Sequence, residues 1–244
     1  MIKKVNIPKK YENRFLKQSY FEFSNKQLVL LYGCNGIGKS SLLTLLSGKD
    51  IKDKHTDISF TYNTNVLFDG EKELIKAQKE YYKTTIEHSF KNEIPKIFYW
   101  KASKHAPLRK RNANADDIDL EDVAMILDSS SHSEGESIEL TFRRFLTRIP
   151  DDTDLVLIDE LDSGLGANYV HTCGHILFDW LRKHPQTQCF LSVNNYHWVW
   201  LFKEIYRMDI GKFQKIENYD EFWDITREIA IDVYNKEKNR TDTF

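Results

Sequence analysis

The segment that most constrains the fold of this 244-residue chain is Gly33–Ser40, with the sequence GCNGIGKS. It matches the phosphate-loop pattern G-x-x-x-x-G-K-[S/T] without a gap. A strand-like apolar run at 28–32 precedes the loop, and a helix-like run at 41–46 follows it. In that setting the glycines let backbone N–H groups turn toward phosphates, and the helix N-terminus adds partial positive charge. The chain is therefore expected to bind a nucleotide.

Two side chains of this loop have specific expected roles. Lys39 would reach the β- and γ-phosphates, and the Ser40 hydroxyl would ligate Mg²⁺. ATP and Mg²⁺ are thus the expected ligands. The remaining expected contacts from this part of the chain to the nucleotide are Gly33, Asn35, Gly36, Gly38 and Ser41.

A second segment, Asp154–Glu160 with the sequence DLVLIDE, narrows the class of phosphate-loop protein. Its four consecutive apolar residues predict a strand that is buried on both faces and central in a parallel sheet. Such a strand places Asp159 and Glu160 at its carboxyl edge, where ligands bind in open α/β sheets. Asp159 would hold Mg²⁺ through its water shell, and Glu160 would polarise the attacking water as general base. The alternative is a pair of carboxylates that caps the next helix.

Two further motifs, in order after the phosphate loop, carry a resemblance to a known family. The run 159–165, DELDSGL, resembles the Walker B and D-loop run of the ABC-type ATPase superfamily. Upstream, the run 133–137, SEGES, resembles the superfamily's signature motif, and an apolar stripe at helical spacing follows it. Its Gly-Glu-Ser variant is similar to soluble, stand-alone members related to chromosome-maintenance and recombination-repair proteins. The competing interpretation of this run is a serine-rich loop that caps a helix.

The resemblance, which covers roughly residues 27–195, implies both a fold and a mechanism. The fold is an α/β P-loop domain spanning 1–244, with a mostly parallel central sheet flanked by helices. An antiparallel edge subdomain and a helical signature region at about 101–150 complete it. In the implied ATP-gated dimer, the signature motif of one subunit completes the nucleotide site of the other. The residues that would contact the nucleotide across that interface are Ser133, Gly135 and Glu136.

The chain departs from the superfamily's pattern at two positions. Asn194 stands where a histidine senses the γ-phosphate, and asparagine donates a hydrogen bond but cannot shuttle a proton. Asn194 is the expected catalytic contact, so hydrolysis is expected to be slow unless His197 swings into place. Gly166 occupies a position where Asp is usual, which would alter communication between the two nucleotide sites.

Two further nucleotide contacts stay open at this point. Gln78 is a candidate for the glutamine that contacts magnesium, but its charged surroundings favour an exposed helix face. The aromatic residue that would stack on adenine is Tyr11, Phe15 or Tyr20, and the sequence does not choose among them.

Charge is distributed most unevenly between residues 101 and 122. Five basic residues lie at 101–111 with no acid among them, and five acidic residues follow at 116–122. The plain interpretation is a solvated loop and a helix start whose acids lie near the positive end of the helix dipole. The alternative is a basic strip that faces the phosphates of nucleic acid or of the nucleotide. The net charge of −2 provides no general attraction to nucleic acid or membrane.

Localisation follows from simple features of the sequence. It has no apolar run of about 18 residues that predicts membrane insertion, and its N-terminus lacks the apolar core of a signal peptide. Its three cysteines show neither metal-ligand nor disulfide spacing. A cytoplasmic protein is expected.

The sequence thus favours a slow ATPase that pairs with a second copy or with another ATPase. Because the chain contains no recognisable effector, it would drive or regulate a partner protein, by family analogy in DNA repair or defence against phages. The first alternative is the nucleotide-binding subunit of an ABC membrane transporter. The second is an ATP-dependent scaffold with little hydrolysis.

Overall fold

The computed structural model describes residues 1–9, 18–48, 69–101, 133–162 and 165–241. Several predictions fall outside these ranges. They are the adenine-stacking candidates Tyr11 and Phe15, the basic strip 101–111 beyond its first residue, and the acidic run that follows it. The helical signature region is described from residue 133 onward.

The described residues form nine strands and six helices. The strands are β1 (Ile2–Asn6), β2 (Tyr20–Glu22), β3 (Leu28–Tyr32), β4 (Ile86–His88), β5 (Ile97–Lys101), β6 (Leu155–Asp159), β7 (Gln188–Val193), β8 (Glu204–Arg207) and β9 (Lys212–Lys215). The helices are α1 (Lys39–Ser47), α2 (Asp69–Thr85), α3 (Glu134–Thr147), α4 (Ala167–Lys183), α5 (Tyr196–Phe202) and α6 (Tyr219–Thr241).

A six-stranded sheet in the order β5-β6-β7-β3-β8-β9 forms the centre of the fold. Its neighbouring strands run parallel, except that β8 and β9 pair antiparallel. Every residue of β6 and β7 is buried, as the continuous apolar run of β6 predicts. The carboxyl ends of β3, β6 and β7 therefore meet at one edge of the sheet. The predicted α/β architecture with a mostly parallel central sheet is confirmed.

A smaller antiparallel sheet, in the order β2-β1-β4, packs beside the central one. Aromatic side chains connect the two. The ring of Phe23 lies 4.9 Å from that of Phe190 in β7, and Phe21 lies 6.1 Å from Tyr206 in β8. These edge-on contacts join both sheets in one hydrophobic core. The predicted antiparallel edge is confirmed, although the sequence did not predict the short strand β4.

Two helices, α4 and α6, turn apolar stripes toward the core. On α4, the buried residues recur at helical spacing: Val170, Cys173, Leu177 and Leu181. On α6, Phe222, Ile225 and Ile229 are buried, and the hydroxyl of Tyr32 lies 2.7 Å from that of Thr226. The C-terminal helix therefore packs on its own domain, beside the strand that leads into the phosphate loop. None of the described helices has the length and apolar character that crossing a membrane requires.

Candidate functional site

The phosphate loop connects the end of β3 with the first residue of α1. Gly36 and Gly38 have φ angles of 82° and 104°, in the left-handed region that favours glycine. Gly38 immediately precedes the helix, so its conformation lets the chain turn from the loop directly into α1. Backbone N–H groups at the start of α1 have no partner within the helix, and this end of a helix attracts anions. The local fold is therefore the one that the phosphate-loop pattern predicts.

Lys39, the first residue of α1, is 7% exposed and folds back onto its own loop. Its Nζ donates hydrogen bonds to the carbonyl oxygens of Gly33, at 2.5 Å, and of Cys34, at 3.3 Å. Burial lowers the pKa of Lys39. A nearby anion favours the charged form of an amine and would offset this desolvation. The lysine is thus held in position for a negatively charged ligand.

Asp159 ends β6 and is fully buried. Its Oδ1 accepts hydrogen bonds from Ser40 Oγ at 3.0 Å and from Ser192 Oγ at 2.8 Å. Tyr99, on the neighbouring strand β5, donates to Oδ2 at 3.4 Å. Donors from α1, β5 and β7 therefore converge on one carboxylate. The contact between Ser40 and Asp159 brings together the two residues expected to hold Mg²⁺.

Glu160 leaves the strand with φ at 57°, a left-handed conformation in a residue other than glycine. Such backbone strain costs on the order of 1–3 kcal/mol and clusters at functional sites. The main-chain N–H of Glu160 donates to Ser192 Oγ at 2.8 Å, which anchors the turn to β7. Ser192 therefore fixes both the carboxylate of Asp159 and the backbone of Glu160.

Asp162 is a second carboxylate of this region, and it is 6% exposed. Its Oδ2 accepts from the backbone N–H groups of Asn194, at 2.8 Å, and of Asn195, at 2.6 Å. Burial raises the pKa of Asp162. Within the described part of the chain, its buried Oδ1 has no hydrogen-bond partner. Asp162 thereby ties the chain that follows β6 to the chain that follows β7.

Asn194 and His197 occupy different environments. Asn194 is exposed, whereas His197 lies in the first turn of α5 with its ring centroid 5.4 Å from that of His171. Asn195 caps that helix, since its Oδ1 accepts from the N–H of His197 at 2.9 Å. The structure therefore brings Asn194 to the site and packs His197 against another helix.

These groups surround an open pocket of about 680 Å³. Its lining residues are Cys34, Asn35, Gly36, Gly38, Lys39, Ser40, Ser41, Glu160, Asp162, Asn194 and Asn195. Asp159 lies beneath this lining, in contact with Ser40. Gly33 contacts Lys39 through its carbonyl group. Most of the residues predicted from the phosphate loop, together with Glu160 and Asn194, therefore share one pocket.

The signature residues lie apart from this pocket, at the N-terminus of α3. Ser133 caps the helix: its Oγ accepts from the N–H of Glu136 at 3.4 Å, and the Glu136 carboxylate accepts from the N–H of Ser133 at 2.7 Å. Gly135 is buried against α4. None of these three residues lines the described pocket. The helix cap considered from sequence is present, and the signature run remains outside the site of its own chain.

The expected exposure of Gln78 is wrong. Gln78 is 8% exposed, because the face of α2 that carries it also carries Tyr81 and Tyr82. Their hydroxyls donate to the carbonyl oxygens of Leu45 and Leu46, which turns this face toward α1. Gln78 does not line the described pocket.

Tyr20, the third candidate for stacking on adenine, and Gly166 both lie outside the described pocket lining. Tyr20 is exposed, and the ammonium of Lys4 lies 4.1 Å from its ring centroid. Gly166 is the N-cap of α4, and as a glycine it has no side chain that could cap the helix. Neither residue contributes to the pocket as described.

Replacing Ser192 with alanine is expected to lower the free energy of unfolding by about 1–3 kcal/mol. The alanine removes one donor from the buried Asp159 carboxylate and the acceptor of the Glu160 N–H. Urea unfolding measures the change. The matched control is Ser24→Ala, an exposed serine whose loss should cost less than about 0.5 kcal/mol. Equal costs for both variants would show that Ser192 does not support the site.

The fold and the pocket define the class of this protein as an α/β P-loop NTPase. The chain belongs to the KAP family, whose P-loop domain matches residues 13–176. That range contains the phosphate loop, the strand ending in Asp159 and the signature run. No curated protein matches the chain at a significant level of sequence similarity.

Several ABC transporter cassettes are similar in structure. A dimeric cassette of a bacterial ABC transporter gives a TM-score of 0.47 at 16% identity, over 89% of this chain and 99% of the cassette. The protein cbiO1 from Clostridium perfringens, part of the ABC transporter complex cbiONQ, gives a TM-score of 0.47 at 15% identity, over 98% of this chain and 95% of cbiO1. A nucleotide-free cassette from an ABC transporter gives a TM-score of 0.45 at 15% identity, over 94% of this chain and 99% of the cassette. The class assigned to the chain rests on the family match and on the site itself.

Proposed function

We propose that the chain is an ATPase that binds ATP and Mg²⁺ in this pocket and works as an ATP-gated dimer. The observation that carries the proposal is the hydrogen bond between Ser40 and Asp159. It joins the N-terminus of α1 to the carboxyl end of β6, beneath a pocket lined by Lys39 and Glu160. A phosphate group in this pocket would meet a cation, a metal site and a carboxylate base together.

The phosphate loop would hold the triphosphate through its backbone and Lys39. The loop from Gly33 to Ser41 presents main-chain N–H groups and the helix N-terminus to the β- and γ-phosphates. Asn35, Gly36 and Gly38 line the pocket and would lie along the phosphates. The ammonium of Lys39 would exchange its bonds to loop carbonyls for phosphate oxygens, which are anionic and so bind it more strongly.

Ser40 and Asp159 fit a magnesium ion. Mg²⁺ binds through one or two carboxylates together with waters and substrate phosphates, and it prefers oxygen ligands. The hydroxyl of Ser40 and the carboxylate of Asp159 offer such oxygens side by side. Ser192 and Tyr99 would keep that carboxylate oriented. When bound, the ion would neutralise charge that develops on the phosphate oxygens.

Glu160 would act as the general base toward the attacking water, and Asn194 would donate a hydrogen bond to the γ-phosphate. General-base catalysis contributes typically about 10²–10⁴-fold to a rate. Asp162 supports the second role, because its carboxylate holds the backbone that carries Asn194. Since an asparagine side chain cannot transfer a proton, turnover is expected to be slow.

The position of the signature run supports completion of the site by a second subunit. Ser133 is exposed at the start of α3, away from the described pocket of its own chain. In the dimer, Ser133, Gly135 and Glu136 would contact the γ-phosphate bound by the partner, which is a second copy or another ATPase. ATP would thus hold the subunits together, and hydrolysis would release them.

The wider role proposed for this ATPase is to drive or regulate an effector protein in DNA repair or defence against phages. Its support is the resemblance of the Gly-Glu-Ser signature to soluble ATPases of DNA metabolism, which is an analogy. Nucleic-acid binding through the basic strip 101–111 belongs to the same proposal. One observation favours a scaffold with little hydrolysis instead, namely Asn194 in the place of a histidine. Steady-state ATP turnover by the purified chain distinguishes an ATPase that drives an effector from a scaffold with little hydrolysis.

Mixing two inactive variants tests the composite site. Lys39→Ala would lack a functional phosphate loop, and Ser133→Ala would lack a functional signature motif. A mixed dimer has one intact site, so an equimolar mixture is expected to recover about a quarter of the wild-type ATP turnover. In the control mixture, Lys39→Ala is combined with a chain that carries both substitutions, so no dimer has an intact site. A mixture that stays as inactive as its two components would contradict the proposed dimer.

A further inference from the structure

We infer that Tyr169, on α4, positions the signature serine for the nucleotide bound by the partner subunit, an inference that rests on the proposed dimeric function. The hydroxyl oxygen of Tyr169 lies 3.2 Å from Ser133 Oγ, within hydrogen-bond distance. The two residues are 36 positions apart in the chain: Ser133 is the N-cap of α3, and Tyr169 lies in the first turn of α4. Packing of α4 against the start of α3 brings them together.

The ring of Tyr169 also explains why position 135 is a glycine. A Cβ atom at Gly135 would lie 2.4 Å from Cδ2 and 2.5 Å from Cε2 of the tyrosine. These distances are far shorter than van der Waals contact, so any side chain there would displace the ring. The aromatic ring thus occupies the space beside the signature glycine, while its hydroxyl reaches the signature serine. Tyr169 fixes the first turn of α3 at two points.

The hydrogen bonds around Ser133 determine what its hydroxyl can still do. A serine hydroxyl has two acceptor lone pairs and one O–H donor. One lone pair accepts from the N–H of Glu136. When Tyr169 donates its hydroxyl proton, the second lone pair is also occupied, and only the donor of Ser133 is left. Ser133 is exposed, so that donor can reach an acceptor outside its own subunit.

A phosphate oxygen is the acceptor that this arrangement suits. With both lone pairs occupied by protein donors, Ser133 would face the partner's nucleotide as a donor only, and its rotation would be restricted. Tyr169 would therefore strengthen the contact to the γ-phosphate without touching the nucleotide itself. ADP lacks this phosphate, so binding of ADP to the pocket of a single subunit should be independent of Tyr169.

The test measures ATP-dependent dimerisation of Tyr169→Phe in a Glu160→Gln background, where ATP is expected to be consumed far more slowly. The phenylalanine keeps the ring over Gly135 and removes only the hydroxyl. The ATP concentration for half-maximal dimerisation is expected to rise about 3–10-fold, the effect of one hydrogen bond. Affinity for ADP should stay unchanged. The control is Tyr206→Phe, which loses a hydroxyl bond to the Gly211 carbonyl away from the pocket and should leave both values unchanged.

A double-mutant cycle with Ser133→Ala separates this inference from the proposed function. If Tyr169 acts through Ser133, the phenylalanine adds nothing once the serine is gone. Additive effects, or a normal Tyr169→Phe variant beside a weakened Ser133→Ala variant, would overturn the positioning role and leave the composite site intact. If Ser133→Ala itself dimerises with ATP as well as its Glu160→Gln parent, the proposed role of the signature motif fails, and the role of Tyr169 fails with it.

Discussion

Replacing Lys39 with alanine is expected to lower the affinity for ATP at least about 100-fold, equivalent to about 2.7 kcal/mol of binding free energy. Lys39 is 7% exposed, and its ammonium lies within the phosphate loop, bonded to two carbonyl groups that phosphate oxygens would replace. Charge-assisted hydrogen bonds to phosphate are about twice as strong as neutral ones. The backbone N–H groups that remain cannot replace a buried positive charge.

Calorimetric titration with ATP measures this loss of affinity. The matched control is Lys26→Ala, since Lys26 forms an ion pair with Glu204 at 2.8 Å on the surface. An exposed pair contributes little, so this control should bind ATP as the wild type does. Thermal melting without nucleotide establishes that both variants are folded. A folded Lys39→Ala variant that binds ATP within threefold of wild type would show that the nucleotide lies elsewhere.

Replacing Glu160 with glutamine is expected to lower ATP turnover by about 10²–10⁴-fold, the usual contribution of a general base. Glutamine keeps the size of the side chain but cannot take a proton at neutral pH. The bond that anchors this turn uses the main-chain N–H of Glu160 and Ser192 Oγ, so the substitution leaves it in place. Affinity for ATP is therefore expected to be retained while hydrolysis is lost.

Phosphate release under saturating ATP measures this turnover. Glu87→Gln makes the same chemical change on the exposed edge of β4, away from the described pocket, and should hydrolyse ATP at the wild-type rate. A Glu160→Gln variant that keeps more than a tenth of the wild-type rate would exclude Glu160 as the general base. An unchanged rate would also indicate that the left-handed conformation of Glu160 serves the turn after β6 and not catalysis.

Local patterns in the sequence were sufficient to predict the parts of the site that lie within single elements. The phosphate loop needs its glycines where the backbone turns into α1, and the apolar run of β6 needs burial on both faces. Each requirement restricts a few neighbouring residues, so each can be recognised as a short and specific sequence pattern. The carboxylates at the end of β6 follow from the same pattern, because parallel strands end at a common edge.

Contacts between distant elements could not be predicted in this way. Ser192 lies inside an apolar strand, and only the register of β7 beside β6 brings it to Asp159. Tyr99 reaches the same carboxylate through the pairing of β5 with β6. Asp162 belonged to a recognised motif, but its bonds to the chain after β7 depend on tertiary packing. Nothing in the local sequence around these residues indicates their partners.

The error at Gln78 has a similar cause. Charged neighbours made its helix appear solvated, yet two tyrosine hydroxyls one turn further along α2 bind the end of α1 and bury that face. The short strands β4 and β9 were also missed. Each has three or four residues, and each is stabilised by a partner strand rather than by its own pattern.

ATP-driven association of two subunits is tested most directly by sedimentation velocity of the Glu160→Gln variant with and without ATP and Mg²⁺. The expected result is a monomer without nucleotide and a species of twice that mass with it. Adding Ser133→Ala to the same chain should raise the ATP concentration that the shift requires, because the signature serine would complete the partner's site. A Glu160→Gln variant that binds ATP yet sediments as a monomer at every protein concentration would contradict the composite site.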